Sequence, residues 1–447
     1  MENKVLKILA TGLLMLTCVA CASAGDHPSQ TITLQSRLNT PVIAFNGGTA
    51  YLQLTITTPC IRFPRRRPLN LSIVLDRSGS MGDGSKMDYA KKALQKLVEQ
   101  LDRNDILSIV MYDDVIEVLR PAHRVGRDKY SIRHVIDEIC PRGSTNLGGG
   151  MMEGLRQVER NLNREFINRV VLLSDGLANQ GITDPYTLER LARNYRSKGI
   201  SLTTMGVGLD YNENLMVGLA KNGGGNYYFI ESPHSLASIM NREFNSLSTV
   251  IAQDASIELI LGRNVTVRDV IGCEYRQQGN RYVLPVGDLY SNDSRYFTVE
   301  LLIPEGSGSI TVASAKLLYE SSRRWSDGYP TTSAAVRYTR DVALVDKGRD
   351  LDVQAKVDIA VSTRTVERAM KALDEGKGKA AAGFLQQAQD LLHNSPAASS
   401  PGACGTQIRE QAAKLSSYQK LLKDSTEDSR RAKKSIQYEN YRTQKNQ

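Results

Sequence analysis

Two rhythms of apolar and polar positions alternate along this chain, and the change between them divides it. From residue 69 to residue 230, short continuous apolar runs recur: LNLSIVL (69–75), ILSIVMY (106–112), RVVLLS (169–174), ISLTTMGVG (200–208) and NYYFI (226–230). Runs this short and this rich in Val, Ile and Leu predict strands buried on both faces. Between them lie helical periods. In MDYAKKALQKLVEQL the apolar residues at 87, 90, 94, 97, 98 and 101 share one face, and 131–139, 151–162, 187–199, 212–225 and 235–247 also read as helices. Strands separated by helices of this length call for a parallel sheet covered on both sides.

From about Asp254 the rhythm shortens to a period of two. ASIELIL, NVTVRDVIG, RYVLPVGDL, RYFTVELLIP, SITVASAKLLY and AAVRYTR alternate, with Gly, Asn, Asp and Pro between them. That pattern predicts an antiparallel β-sandwich. TITLQS (31–36) and TAYLQLTITT (49–58) alternate in the same way but cannot be stable as a pair. They are expected to join the sandwich, which makes the α/β part an insertion. From about Asp346 the chain turns helical, with Phe384, Leu385, Ala388, Leu391 and Leu392 forming one stripe. The expected fold is α/β, a doubly wound, mostly parallel sheet, plus an antiparallel β-sandwich and a C-terminal α-helical region. The boundaries expected are 1–24 for an export signal, 25–66 for the first strands, 67–248 for the α/β domain, 249–345 for the sandwich and 346–447 for the helices.

Composition changes this picture little. With 41% hydrophobic and 23% charged residues among 447, the chain has ordinary globular cores. The formal net charge of +9 is concentrated at Arg65, Arg66 and Arg67 and around Arg430, Arg431, Lys433 and Lys434. These read as a solvated linker and a solvated helix face; no aromatic interleaving or nucleic-acid motif accompanies them. Lys4 and Lys7, an apolar stretch from Ile8 to Ala20 and Ala22-Ser23-Ala24 have the form of an export signal, too short for a membrane span. Soluble export to the periplasm, cell surface or medium is expected. A lipid anchor at Cys21 is the rival, although Cys18 stands where a leucine belongs. Cys60, Cys140, Cys273 and Cys404 remain, and Cys60–Cys273 is the expected disulfide because the two flank the α/β part.

The candidate chemistry sits at the strand ends. Asp76 follows the first apolar run and Asp175 follows RVVLLS; in a doubly wound sheet such positions meet at the crevice where strand order reverses. Ser78 and Ser80 alternate after Asp76 around Gly79, and Thr145 lies in the loop RGSTNLGGG. Two carboxylates and three hydroxyls are hard oxygen donors, suited to Mg²⁺, Mn²⁺ or Ca²⁺. The sequence has no GxSxG, HExxH, Walker-type GxxxxGK[ST] or CxxC, and His27, His123, His134, His234 and His393 show no ligand spacing. Asp210-Tyr211-Asn212-Glu213-Asn214 reads as the loop that starts a helix, and Asp113-Asp114 as a solvated loop near the metal face.

Asp76-x-Ser78-x-Ser80 with the distant Thr145 and Asp175, in the surroundings TNLGGG and LLSDG, resembles the metal-ion-dependent adhesion site of the von Willebrand factor A domain family over roughly residues 68–248. The whole chain is similar to exported bacterial proteins of that family with a flanking β-sandwich and a helical tail. The resemblance implies direct ligation by Ser78, Ser80 and Thr145, with Asp76 and Asp175 acting through water. It also implies an open coordination position for an Asp or Glu of a protein partner. A non-enzymatic adhesion module outside the cytoplasm is therefore expected, with Mg²⁺ the first choice. A structural subunit of an envelope complex, its cation only stabilising the fold, is the alternative. A metal-assisted hydrolase is disfavoured because neither His nor Lys is expected beside the metal.

Overall fold

The computed structural model describes residues 31–61, 66–127, 129–320, 328–421 and 426–445. The expected export signal, Cys18, Cys21 and Arg65 lie outside the described residues. Three strands come first, β1 (Thr33–Leu38), β2 (Val42–Ala44) and β3 (Gly48–Thr57), and they part company at once. β1 pairs with β3 in one sheet, whereas the short β2, which the alternation did not reveal, enters another.

The helix–strand alternation then builds β4 (Leu69–Asp76), α1 (Lys86–Gln100), β5 (Ile106–Tyr112), β6 (Ile116–Arg124), α2 (Lys129–Asp137), α3 (Leu147–Glu159), β7 (Ile167–Ser174), α4 (Pro185–Arg196), β8 (Ser201–Val207), α5 (Glu213–Gly223), β9 (Gly224–Ile230) and α6 (Leu236–Ser248). The sheet order is β6-β5-β4-β7-β8-β9, parallel except for β6, which runs antiparallel on the edge. Every residue of β4, β5 and β7 is buried, as their continuous apolar runs require. β6 was not anticipated: it is half exposed and carries Pro121, which only an edge strand tolerates.

The Gly-rich stretch before residue 151 is no loop, because α3 already begins at Leu147. Its glycines let the helix press onto the sheet. A Cβ on Gly150 would come within 2.5 Å of the Tyr112 ring, and one on Gly154 within 2.2 Å of Val74 Cγ2. The segment at 210–214 does start a helix, with the Asn212 side chain capping the Leu215 amide of α5.

β10 (Val250–Leu261), β11 (Thr266–Ile271), β12 (Arg276–Gln278), β13 (Arg281–Tyr290), β14 (Ser294–Ile303), β15 (Ser309–Glu320) and β16 (Thr331–Thr339) form two sheets with the opening strands. Their orders are β1-β3-β14-β11 and β12-β13-β10-β15-β16-β2. β3 pairs with β14 along its whole length, from Gly48 opposite Ile303 to Thr57 opposite Ser294. Arg169 of β7, fully buried, joins this part to the α/β sheet: it reaches Asp288 of β13 at 2.7 Å and Glu243 of α6 at 3.7 Å.

The expected Cys60–Cys273 disulfide is absent; all four cysteines among the described residues are free thiols. Cys60 follows β3 and Cys273 follows β11, with β14 between those strands. Two strand spacings are about 9–10 Å, beyond the roughly 7 Å Cα separation that a disulfide spans.

Five helices complete the chain, α7 (Val342–Lys347), α8 (Leu351–Asp374), α9 (Gly378–His393), α10 (Ala403–Leu421) and α11 (Thr426–Lys445). α8, α9 and α10 share a small core around Leu385, Leu392, Ile408 and Leu415. α11 returns to the α/β sheet. The buried Tyr441 ring stands edge-on to Tyr227 at 5.7 Å, and its hydroxyl accepts from the Tyr227 amide at 3.2 Å. The basic tail is therefore a solvated face only in part: Arg430 and Arg431 are exposed, whereas Lys433 and Lys434 turn inward. Lys434 Nζ, nearly buried, donates to Glu213 Oε2 (2.5 Å) and Tyr211 O (2.7 Å). Lys433 joins Glu213 to Asp374. The linker reading fails in the same way. Arg66 grips the buried Asp105 through both terminal nitrogens, and Arg67 donates to the carbonyls of Arg164 and Glu165. Charge runs look alike in sequence whether their partners are water or distant carboxylates.

Glu213→Ala would strand the buried Lys434 ammonium, while Lys433 keeps Asp374, and losing one partner of a buried pair costs about 3–5 kcal/mol. Urea denaturation is expected to show a loss of that size, with faster amide exchange over residues 426–445. A loss under about 1 kcal/mol would mean that the pair does not hold α11.

Candidate metal centre

β4 and β7 lie side by side with Leu75 opposite Leu173, so Asp76 and Asp175 leave the sheet together at one edge. The chain passes from β4 to β5 on one side and later to β7 on the other, which makes this edge the switch point. After Asp76 a 3₁₀ turn, Gly79–Ser85, carries the backbone over the strand ends.

Four of the five sequence-derived residues meet through direct hydrogen bonds. Asp76 Oδ1 accepts from the Ser78 amide at 2.9 Å. Ser80 Oγ donates to Asp175 Oδ1 at 2.8 Å and lies 3.2 Å from Ser78 Oγ. Thr145 joins them across Gly176: a Cβ on that glycine would sit 3.4 Å from Thr145 Oγ1 and 3.8 Å from Ser80 Oγ. The absent side chain leaves a hollow between the two hydroxyls. Asn179 fixes Thr145, its side chain accepting from the Thr145 amide at 2.9 Å and its own amide donating to the Thr145 carbonyl at 3.1 Å. Asp76 and Asp175 are fully buried, and Ser80 is the half-exposed member that opens the site.

Three residues missed in the sequence support this cluster. Ser174 Oγ donates to Asp76 Oδ2 at 2.9 Å, and the buried Tyr112 hydroxyl lies 3.3 Å from the same oxygen. Lys86, expected to be absent from the site, stands beside it, with Nζ 2.7 Å from Asp175 Oδ2 and 3.3 Å from the Ser80 carbonyl. Lys86 lies in the run GSK after DxSxS, where one turn of chain is enough to bring it back; that was the overlooked signal. Asp113 is likewise no solvated loop residue. It is buried, with Oδ2 2.7 Å from Arg77 Nε and 2.9 Å from Arg142 Nε. Arg77 is thus turned away from the hydroxyls, so alternate residues of the loop face opposite sides.

Burial pushes the Asp76 carboxyl up to about 6; hydrogen bonds from Ser78 only partly offset it, and the Asp175 charge adds to the rise. Burial also raises Asp113, but hydrogen bonds from the Val115 amide, Arg142 and Arg77 outweigh it and hold this carboxyl below its ordinary range.

The donor set fits a hard divalent cation. Apart from the Lys86 ammonium, the converging side-chain groups are oxygens, the hollow lies between hydroxyls, and one ammonium does not balance two carboxylates. Among the described residues no group of three or more His, Cys, Asp or Glu side chains could hold a metal, so a cation here depends on the neutral hydroxyls. Ser78, Ser80 and Thr145 would hold it, with Asp76 and Asp175 behind them. Bound there, the ion supplies a Lewis-acidic position open to an anionic ligand.

Residues 70–242 match the family model of the von Willebrand factor type A domain. The uncharacterized protein YfbK of Escherichia coli (strain K12) is 33% identical over 210 residues, 46% of this chain. The match spans only 36% of that relative's own length. A solved von Willebrand factor type A protein from Catenulispora acidiphila superposes with a TM-score of 0.67 at 17% identity, covering 83% of this chain and 88% of that one. The ArnB paralog VWA2 from Sulfolobus acidocaldarius gives 0.60 at 18% identity, covering 93% and 99%. The α/β part of this chain is a von Willebrand factor type A domain. Domains of this family are in general protein-interaction and adhesion modules, often metal-dependent.

The raised carboxyl sets a pH test. Between pH about 4 and 6 the metal-free native state holds a proton on Asp76 that the unfolded chain has released. Stability therefore falls as pH rises through that window, by about 3 kcal/mol from this group. Denaturation of metal-free wild type and Asp76→Asn from pH about 4 to 7 should show the steeper decline in the wild type. Parallel curves would contradict the assignment.

Proposed function

We propose that this chain is a non-enzymatic, extracytoplasmic interaction module that captures an Asp or Glu of a protein partner through a divalent cation, Mg²⁺ first. The convergence of the Ser78, Ser80 and Thr145 oxygens over two buried carboxylates carries this reading. Neutral ligands leave a cation most of its charge. Asp76 and Asp175 offset a divalent ion, and Lys86 then leaves the cluster with one net positive charge, which attracts a carboxylate. Leu177 and Val115, both more than half exposed near the strand ends, offer an apolar rim to the same partner. Lys86 gives no support to a hydrolase, because its ammonium is committed to Asp175 and a carbonyl rather than free to act as a base. Export remains the expectation from the N-terminal segment. Among the described residues no helix is long and apolar enough to cross a membrane.

Calorimetric titration of the full chain with Mg²⁺, Mn²⁺ and Ca²⁺ is expected to give a Kd on the order of 10⁻⁴–10⁻³ M for at least one ion. Ser78→Ala should weaken it, and a carboxylate-bearing partner should tighten it by linkage. No heat with any of the three ions sinks the proposal. Lys86→Met should keep cation binding while weakening the acidic partner, and unchanged partner affinity would remove Lys86 from recognition. A cation that binds with no effect on any partner, alongside a tail deletion that dissolves a complex, would favour the structural-subunit alternative.

A further inference from the structure

Lined by none of the metal-centre residues, a cleft of about 780 Å³ opens where α4, α5, β11, β13, β14, α8 and the end of α11 meet. Cations crowd it, and most of them are paired. Arg193 meets Glu274 at 2.6 Å, Lys221 meets Glu367 at 2.8 Å, and Arg364 is joined to Asp269. Arg196 and Lys445 are different. Among the described residues neither forms an ion pair, and the one hydrogen bond of the Arg196 side chain is a long 3.4 Å contact with the Lys221 carbonyl.

The surroundings do not neutralise these two groups. Burial lowers the Lys445 ammonium to about 7, and Arg295, Arg196, Lys221 and Arg169 all push it the same way. Burial also lowers Arg196, against the opposing pull of Asp254. Asp254 and Glu189 are the wall carboxyls without an ion pair among the described residues, and burial raises both. Arg276, at the mouth, is a third cation with no ion pair among the described residues. The cleft thus holds like charges close together with too few counter-charges. Its volume lies in the range of small-molecule sites and far exceeds a single ion, and Ile271, Val286 and Phe297 supply apolar wall.

We propose that this cleft binds a small organic anion, its carboxylate or phosphate head held by Arg196 and Lys445 and its apolar body laid against the sandwich wall. Guanidinium and ammonium donors would bind either head through charge-assisted hydrogen bonds. The site draws its walls from all three parts of the chain, so a ligand there would also tie α11 to the α/β domain. It shares no residue with the metal centre and stands or falls separately from it.

Phenyl phosphate and benzoate serve as probes for the two head groups, titrated calorimetrically into the full chain up to about 10 mM. Saturable binding of at least one is expected, weakened about tenfold or more by Arg196→Gln and by Lys445→Met, and unchanged in Ser80→Ala. The tighter probe identifies the head group. Thermal melts of each variant without ligand show whether the fold is kept. If Arg196→Gln fails to fold, Lys445→Met, at the last described residue of α11, carries the test alone. No saturable binding of either probe overturns the proposal, and so does equal affinity in the folded variants.

Discussion

Two carboxylates buried side by side at neighbouring strand ends are the constraint around which this protein is arranged. Asp76 and Asp175 are both shielded from water, and the Asp175 charge adds to the cost of charging Asp76. Hydroxyl and amide donors from Ser78, Ser80, Ser174 and Tyr112 meet part of that cost, and the Lys86 ammonium meets more. On the proposed reading a divalent ion would meet the remainder. Held mainly by neutral oxygens, such an ion would keep a coordination position for an outside anion. Affinity for metal and affinity for a partner would then follow from the same deficit.

The scaffold keeps the two carboxylates where they are. β4, β5 and β7 form the buried centre of the sheet, and Gly150 and Gly154 bring α3 down onto Tyr112 and Val74 closely enough to fix the floor of the site. The sandwich is fastened from below through Arg169, Asp288 and Glu243. The C-terminal helix is fastened from the side through Tyr441 and the Glu213–Lys434 pair. These junctions are polar and buried, so each fixes a single arrangement rather than a greasy contact that could slide.

What the sequence disclosed and what it hid follow one physical line. The buried strands were legible because continuous apolar runs have few alternatives. The five oxygen-bearing residues were legible because spacing and strand ends place them. β6 escaped because an edge strand need not alternate cleanly, and the start of α3 escaped because glycines that permit close packing look like glycines that permit a turn. Lys86, Asp113, Arg66 and Lys434 were misjudged because a charge's partner is a fact of tertiary structure. The Cys60–Cys273 pairing failed because flanking the same segment in sequence does not bring two residues within disulfide reach, and β14 lies between their strands.

Anomalous diffraction from crystals grown with Mn²⁺ addresses the deficit directly. One strong peak is predicted at coordination distance from the hydroxyls of Ser78, Ser80 and Thr145, with Asp76 and Asp175 behind them and an open position toward solvent. A map with no peak there, and with the three hydroxyls directed apart, would contradict the account.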